Sequence, residues 1–505
     1  MAARFPRRTA PSRPVRIALA AGVVLVAGAL AAPGASAAPA QAPAAGTARP
    51  HDDFNGDGYA DLAVAAPTAT VGGKRGAGYV AVLYGSENGL RTATRQVFSQ
   101  NTAGVPGSAE TDDEFGSALA TADLDRDGYA DLVVGVARED TADGGADSGL
   151  VEVVWGGPRG LSGGAALASG GNAHEGLGAH GHLTAGDVDG DGDPDVVTVE
   201  NLHDLRVLRG PFGRDGAGAG GEQTVRDDFD SRVLDLAAGD VNGDGVTDVA
   251  ATENDGDEYD ARRIVYWQGT RDGLTPYRLV DEADGTRLQG GENLDVGDVN
   301  ADGYDDIVVG RAVDGYDSDL DNPRVKGGRV TWIPGAPQGP DGARAVHLNQ
   351  DSPGVPGTAE DGDAFGTGVR IGDVDGDGHP DVVTGLPGED LGRVSGAGSV
   401  VVLRGTADGL TGAGARAVTQ DTADVPGTAE KDDRFGRAAY LGDANGDGRA
   451  DLAVGAPGEN AGAGSVWCLR SSATTVVSPG GTTVFGAGTL GTVAQDAGLG
   501  TAFAR

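Results

Sequence analysis

Cysteine, methionine, aromatic and basic side chains are all scarce in this 505-residue chain. A single cysteine excludes an intramolecular disulfide framework. One methionine and 5% aromatics leave no material for a wide core of large side chains. Val, Leu and Ala recur in short runs instead, which suits a thin core repeated many times. Lys plus Arg number 38 against 76 Asp plus Glu, a formal net charge of -38. Nucleic acid and anionic membrane surfaces both need a basic face, so they are poor partners. Cations are the natural complement. Beyond the N-terminal region no apolar run approaches the length that crosses a bilayer. Glycine, by contrast, is abundant: 90 residues, with 24 prolines. Together they make roughly 23%, just under the level of a low-complexity chain. Length alone suggests about three domains, although repeat folds break that rule.

The N-terminus reads as a targeting segment. Arg4, Arg7, Arg8, Arg13 and Arg16 precede an apolar stretch from Ile17 to Ala32, and Ala35-Ser36-Ala37 has the form of a cleavage site. That stretch is too short to span a membrane comfortably. Residues 1–37 are therefore expected to be a signal peptide and 38–50 a Pro/Ala-rich linker, with 51–505 as one repeat domain. The mature protein is expected to be secreted, monomeric and without a transmembrane segment. Loss of the five arginines takes its charge to about -43.

Internal repetition decides the architecture. A nine-residue pattern, Asp-x-Asp/Asn-x-Asp-Gly-x-x-Asp, begins at Asp53, Asp123, Asp187, Asp240, Asp298, Asp373 and Asp443, at a mean interval of 65 residues. These units consume the chain and leave no room for a separate catalytic domain. Each has a small-residue stretch before the pattern, a short apolar run after it, a Gly-rich turn, a β-branched run and a weaker fourth run. Four short strands at a fixed period describe a propeller blade, and no sustained helical period occurs. At the C-terminus, Leu499 to Ala504 repeats the pattern of Phe115 to Ala120, yet no acidic loop follows. The loop at Asp53 in turn lacks a leading strand. Both facts predict an all-β, closed seven-bladed propeller whose C-terminal strand completes the first blade.

The acidic loops have the donor set of a hard-cation site. Position one is the aspartate that opens each pattern. Position three holds Asn55, Asp125, Asp189, Asn242, Asn300, Asp375 and Asn445, where Asn keeps an oxygen and removes a charge. Position five holds Asp57, Asp127, Asp191, Asp244, Asp302, Asp377 and Asp447; position nine holds Asp61, Asp131, Asp195, Asp248, Asp306, Asp381 and Asp451. A main-chain carbonyl at position seven (Tyr59, Tyr129, Asp193, Val246, Tyr304, His379, Arg449) can add a ligand. Calcium takes 6–8 oxygens at about 2.3–2.6 Å, and the glycine at position six permits the sharp turn. Up to seven structural calcium ions are expected. Magnesium prefers six close ligands and holds its water. An EF-hand needs Glu at position twelve, where this chain has Val, Ala or Thr. Without a cation the crowded carboxylates would repel one another.

Phe115-Gly116, Phe365-Gly366 and Phe435-Gly436 each stand eight residues before a loop, and Gly455-Ala456-Pro457 follows the last one. With the loops, these motifs resemble the FG-GAP repeat of integrin α-subunits, over essentially the whole mature chain. The chain looks like a bacterial secreted, integrin-like repeat protein. In units three to five, Ala179-His180, Arg232-Val233 and Gly290-Gly291 stand where Phe-Gly would be. The resemblance implies an extracellular binding or adhesion module for a protein or glycan ligand. A calcium-dependent polysaccharide-degrading enzyme and a structural surface protein are the alternatives. Fold likeness alone does not choose among them.

The loops joining strands one and two all fall on one face. Longer segments (Thr102 to Glu114, Arg138 to Ser148, Glu253 to Asp260, Ala312 to Lys326) fall on the other, where a ligand is expected. His174, His180, His182 and His203 gather near Glu175, but match no ligand spacing and read as surface loop residues. Trp155, Trp267, Trp332 and Trp467 recur at one blade position, which favours interblade packing over sugar platforms. Cys468 reads as a buried free thiol. No serine elbow, HExxH, phosphate loop or paired CxxC occurs, so the chain is expected not to be an enzyme.

Overall fold

The computed structural model describes residues 51–226, 231–254, 262–313 and 325–505. The expected signal peptide (1–37) and linker (38–50) lie outside the described residues. The chain forms seven separate four-stranded antiparallel sheets. Blade 2 shows the plan: inner strand Phe115–Ala122, second strand Asp131–Val136, third strand Leu150–Trp155 and outer strand Ser162–Ser169, bonded in that order. The inner strands of blades 3 to 7 are Leu183–Gly186, Arg232–Gly239, Asn293–Gly297, Thr367–Gly372 and Ala438–Gly442. Blade 1 takes its inner strand, Ala502–Phe503, from the far end of the chain. Phe503 pairs with Val64 and Ala502 with Ala65 of the second strand, Leu62–Ala66. Each inner strand touches those of the blades before and after it, and Ala502–Phe503 touches both Ala438–Gly442 and Phe115–Ala122. The ring is closed, with seven blades, and no blade is left as an exposed end.

Second strands such as Leu62–Ala66 and Asp381–Leu386 are buried along their whole length. A blade covers each of their faces, which is why they read as continuous apolar runs and not as alternating ones. Outer strands such as Arg91–Phe98 are only partly buried. The core is correspondingly divided into seven clusters, one between each pair of consecutive blades, the last and first included.

Phe115, Phe365 and Phe435 are fully buried at these interfaces. The glycines that follow have φ of +90°, +110° and +90°. A Cβ on Gly366 or Gly436 would stand 2.5 or 2.2 Å from a carbonyl oxygen of the preceding blade's third strand, that of Arg329 or Ser399. Glycine thus lets two blades meet backbone to backbone. In unit three that place is taken by Leu177-Gly178, not by Ala179-His180. Leu177 is fully buried and bridges Gly149, as Phe365 bridges Gly328 and Leu499 bridges Gly464. The inner strand of this blade is only four residues long, and the motif sits two residues further upstream.

All four tryptophans are buried, so they pack the blades and present no platform. Trp332 Nε1 donates to Asp306 at 2.8 Å, and Trp467 meets Phe435 edge-on at 5.4 Å between centroids. Cys468 is a buried free thiol. Among the described residues no helix is long and apolar enough to cross a membrane.

Glu152, in the third strand of blade 2, is fully buried, and neither carboxyl oxygen has a hydrogen-bond partner among the described residues. Burial holds the group well above the usual carboxylate range. The folded state therefore binds its proton more tightly than the unfolded chain, and stability falls as pH rises above the ordinary value of 4.5. We expect Glu152→Met to raise the unfolding free energy at pH 8 by about 1–3 kcal/mol in urea titrations. A loss of stability would show that the carboxylate is satisfied in solution.

Candidate metal centres

All seven acidic loops join, or in blade 1 stand before, the second strand on one face, and they share one backbone-to-carboxylate pattern. The position-one aspartate accepts the N–H of position five on Oδ1 and that of position six on Oδ2; for Asp240 these bonds are 3.0 and 2.8 Å. The position-five aspartate accepts the N–H of position seven, as Asp191 does from Asp193 at 2.9 Å. Position six is always glycine, with φ between +84° and +91°. Side chains at one and five therefore wrap a turn that an L-residue would strain.

Position nine has a structural role besides the liganding role expected of it. Its carboxylate is buried at the head of the second strand and spans two parts of the blade. Asp131 accepts Leu124 N–H at 2.9 Å from the loop and Gly156 N–H at 2.7 Å from beyond the third strand. Asp195 does the same with Val188 and Gly210, and Asp306 with Val299 and Gly335. Periodicity carried no signal for this brace, because its second partner lies some 25 residues away.

The loops also bond to one another. The N–H at position eight donates to the position-one carbonyl of the preceding loop: Ala130 to Asp53 (3.1 Å), Thr247 to Asp187 (2.9 Å), Asp305 to Asp240 (3.0 Å), Ala450 to Asp373 (2.7 Å), and Ala60 to Asp443 (3.1 Å) across the closure. The two remaining junctions have Pro194 and Pro380 at position eight, which lack an N–H. At the first of these, Arg126 bonds Asp193 at 2.6 Å instead. Position seven packs in the same direction: the rings of Tyr59, Tyr129 and Tyr304 lie over Gly446, Gly56 and Gly243, where a Cβ would come within 2.5–2.8 Å.

The FG-GAP repeat family matches residues 51–83, 115–154, 365–403 and 435–469. The chain carries FG-GAP repeats. They are blades 1, 2, 6 and 7, and the loop geometry continues through blades 3 to 5. Phosphatidylinositol-glycan-specific phospholipase D of Rattus norvegicus is 32% identical over 38% of this chain and 22% of its own length. Integrin alpha-IIb of Homo sapiens is 44% identical over 17% of the chain and 7% of its own, and integrin alpha-5 of Xenopus laevis 28% over 38% and 17%. The matched segments span less than a quarter of these curated relatives.

Within the propeller, three loops bring three carboxylates within 4.8 Å of one another: Asp123, Asp125 and Asp127; Asp187, Asp189 and Asp195; Asp373, Asp375 and Asp381. These are the loops with Asp at position three, and each meets an arginine. Arg214 bonds Asp125, Arg209 stands 3.5 Å from Asp189, and Arg404 reaches Asp375 and Asp381, the latter at 2.7 Å. Where position three is Asn, its amide does the same work, as Asn445 does toward Asp451 at 2.8 Å. The extra negative charge is offset locally. Asp189 Oδ1 is buried without a partner among the described residues, a free oxygen of the kind a hard cation takes. The all-oxygen donor set fits calcium on that count.

The four histidines of blade 3 are not brought together, and none joins a metal-competent cluster among the described residues. Nor are they all surface residues: His182 is buried, with Nε2 2.9 Å from the Val233 carbonyl. His174 pairs with Asp147 and His203 with Asp204.

Burial pushes every position-nine aspartate above its ordinary 3.8: Asp61 to about 8, Asp131, Asp195 and Asp381 to about 7, and Asp248, Asp306 and Asp451 to about 6. The folded state thus holds protons that the unfolded chain releases near pH 4, and stability is lost as pH rises toward 8. In divalent-free buffer we expect the melting temperature to fall between pH 5 and pH 8.5. A rising melt over that range would refute the assignment of these shifts.

Proposed function

We propose that the protein is a calcium-stabilised propeller that works outside the cell as a binding module for a protein or glycan ligand, and that its cations are structural. The observation that carries this reading is the identity of the seven loops, each presenting hard oxygen donors on a glycine turn at one face. Calcium tolerates 6–8 oxygens in flexible geometry, which such loops supply more readily than the close octahedron magnesium needs. Each ion would sit at the head of a blade's first hairpin and neutralise carboxylates that otherwise repel. Affinities of about 10⁻⁴–10⁻³ M, common in extracellular modules, would suffice. The opposite face, with the strand-two to strand-three loops and the blade connections, is left for a ligand. Residues 255–260 and 314–324 of the segments expected there lie outside the described residues.

Two measurements test the reading. Asp377→Ala should lower the melting temperature in calcium and remove one bound ion from the count by atomic emission; an unchanged melt with an unchanged count would sink the assignment. Glycan and extracellular-protein arrays probed with residues 38–505, in calcium and in EDTA, should give calcium-dependent capture of one ligand class. A folded protein that captures nothing would overturn the binding role and turn attention to polysaccharide cleavage.

A further inference from the structure

The mouth of the central channel, on the face away from the acidic loops, is a cavity of about 500 Å³ lined by the starts of the inner strands. In a chain of net charge -38 its walls carry four arginines, Arg370, Arg434, Arg437 and Arg505. The carboxylates beside them are already engaged. Asp235 takes the Arg505 guanidinium on Oδ1 and the Leu294 N–H on Oδ2, and Glu292 is held by Arg262 at 2.9 Å. Arg370 donates Nη1 only to the Val369 carbonyl, while its Nε is buried without a partner among the described residues. Arg434 and Arg437 have no carboxylate within ion-pair reach among the described residues. Burial, with Arg434 alongside, pushes the Arg437 guanidinium below its ordinary value. Asp295, on the inward side of Arg370, accepts the Ile371 N–H at 2.9 Å and offsets part of this charge, so the side chains leave a net positive funnel.

We propose that this cavity binds the carboxylate of a small acidic ligand, either the uronic-acid end of a glycan or a free organic acid. Guanidinium groups match a carboxylate with paired N–H donors, and unpartnered ones in a partly enclosed space are costly until an anion arrives. A volume near 500 Å³ admits one or two sugar rings and suits a small molecule better than a protein surface. The inference deepens the binding-module reading and rests on it. The cavity residues are separate from the acidic loops.

The test is calorimetric titration of the full mature chain, in calcium, with galacturonate, digalacturonate, succinate and neutral galactose. Saturable binding of a carboxylate, with galactose at least about tenfold weaker, is expected. Arg437→Gln should weaken it by at least about tenfold without moving the melting temperature or the calcium count, and Arg434→Gln at the rim serves if that variant fails to fold. Preference for the galacturonates assigns the glycan end; succinate binding as tightly assigns a free organic acid. No saturable binding of any carboxylate to folded protein overturns the cavity. So does equal affinity in both arginine variants, and a ligand captured on the arrays would then leave the binding module standing with its site elsewhere.

Discussion

The ninth residue of each acidic loop is an aspartate whose buried carboxylate accepts one N–H from its own loop and another from the turn beyond the third strand. Gly85, Gly156, Gly210, Gly269, Gly335, Gly405 and Ser471 supply that second N–H, one in each blade. Burying a carboxylate is costly, and the two hydrogen bonds offset only part of that cost, since burial still raises each group above its ordinary value. Asparagine would fail here, because its amide presents N–H toward an N–H on one side. The brace fixes where the loop lies over the blade, and so where its oxygen donors converge; in two loops the position-nine carboxylate, Asp195 or Asp381, is itself one of the converging groups. The metal-competent geometry depends on a residue that does structural work first.

From that fixed loop the ring is assembled by repetition. One backbone bond passes from each loop to the next, and the two junctions where it is missing are the two with proline. Between blades, Val, Ala and Leu pack around a few buried Phe and Trp side chains, and close backbone approach depends on glycines such as Gly366 and Gly436, where a Cβ would push the blades apart. Closure by Ala502–Phe503 makes the final interface equal to the others.

The same arrangement groups charge locally. Carboxylates collect on one face, where the strand-one to strand-two loops emerge. Inner strands and the residues flanking them carry arginines into the channel mouth at the opposite end. A net charge of -38 describes neither place. The seven loops cluster carboxylates and the channel mouth clusters guanidinium groups, although the connections around that mouth, such as Glu110 to Glu114 and Glu430 to Asp433, are acidic as well.

Blade number, strand order, closure and the acidic loops were legible in the sequence because each is a local pattern copied seven times. Repetition turns a weak signal into a strong one. Residues whose role depends on a partner distant in sequence were not legible. The position-nine brace, the displacement of Phe-Gly to Leu177-Gly178 and the burial of His182 follow from pairing and strand length. The gathering of Arg370, Arg434, Arg437 and Arg505 has no sequence signature at all: each comes from an inner strand or a segment just before or after one, in blades 6, 7 and 1, and only the closing of the ring points them into one space. By itself the sequence determined the repeating unit, since every blade solves the same local problem of turn, strand and charge. Tertiary structure alone decided what faces the axis, because a ring brings together residues that no local pattern relates.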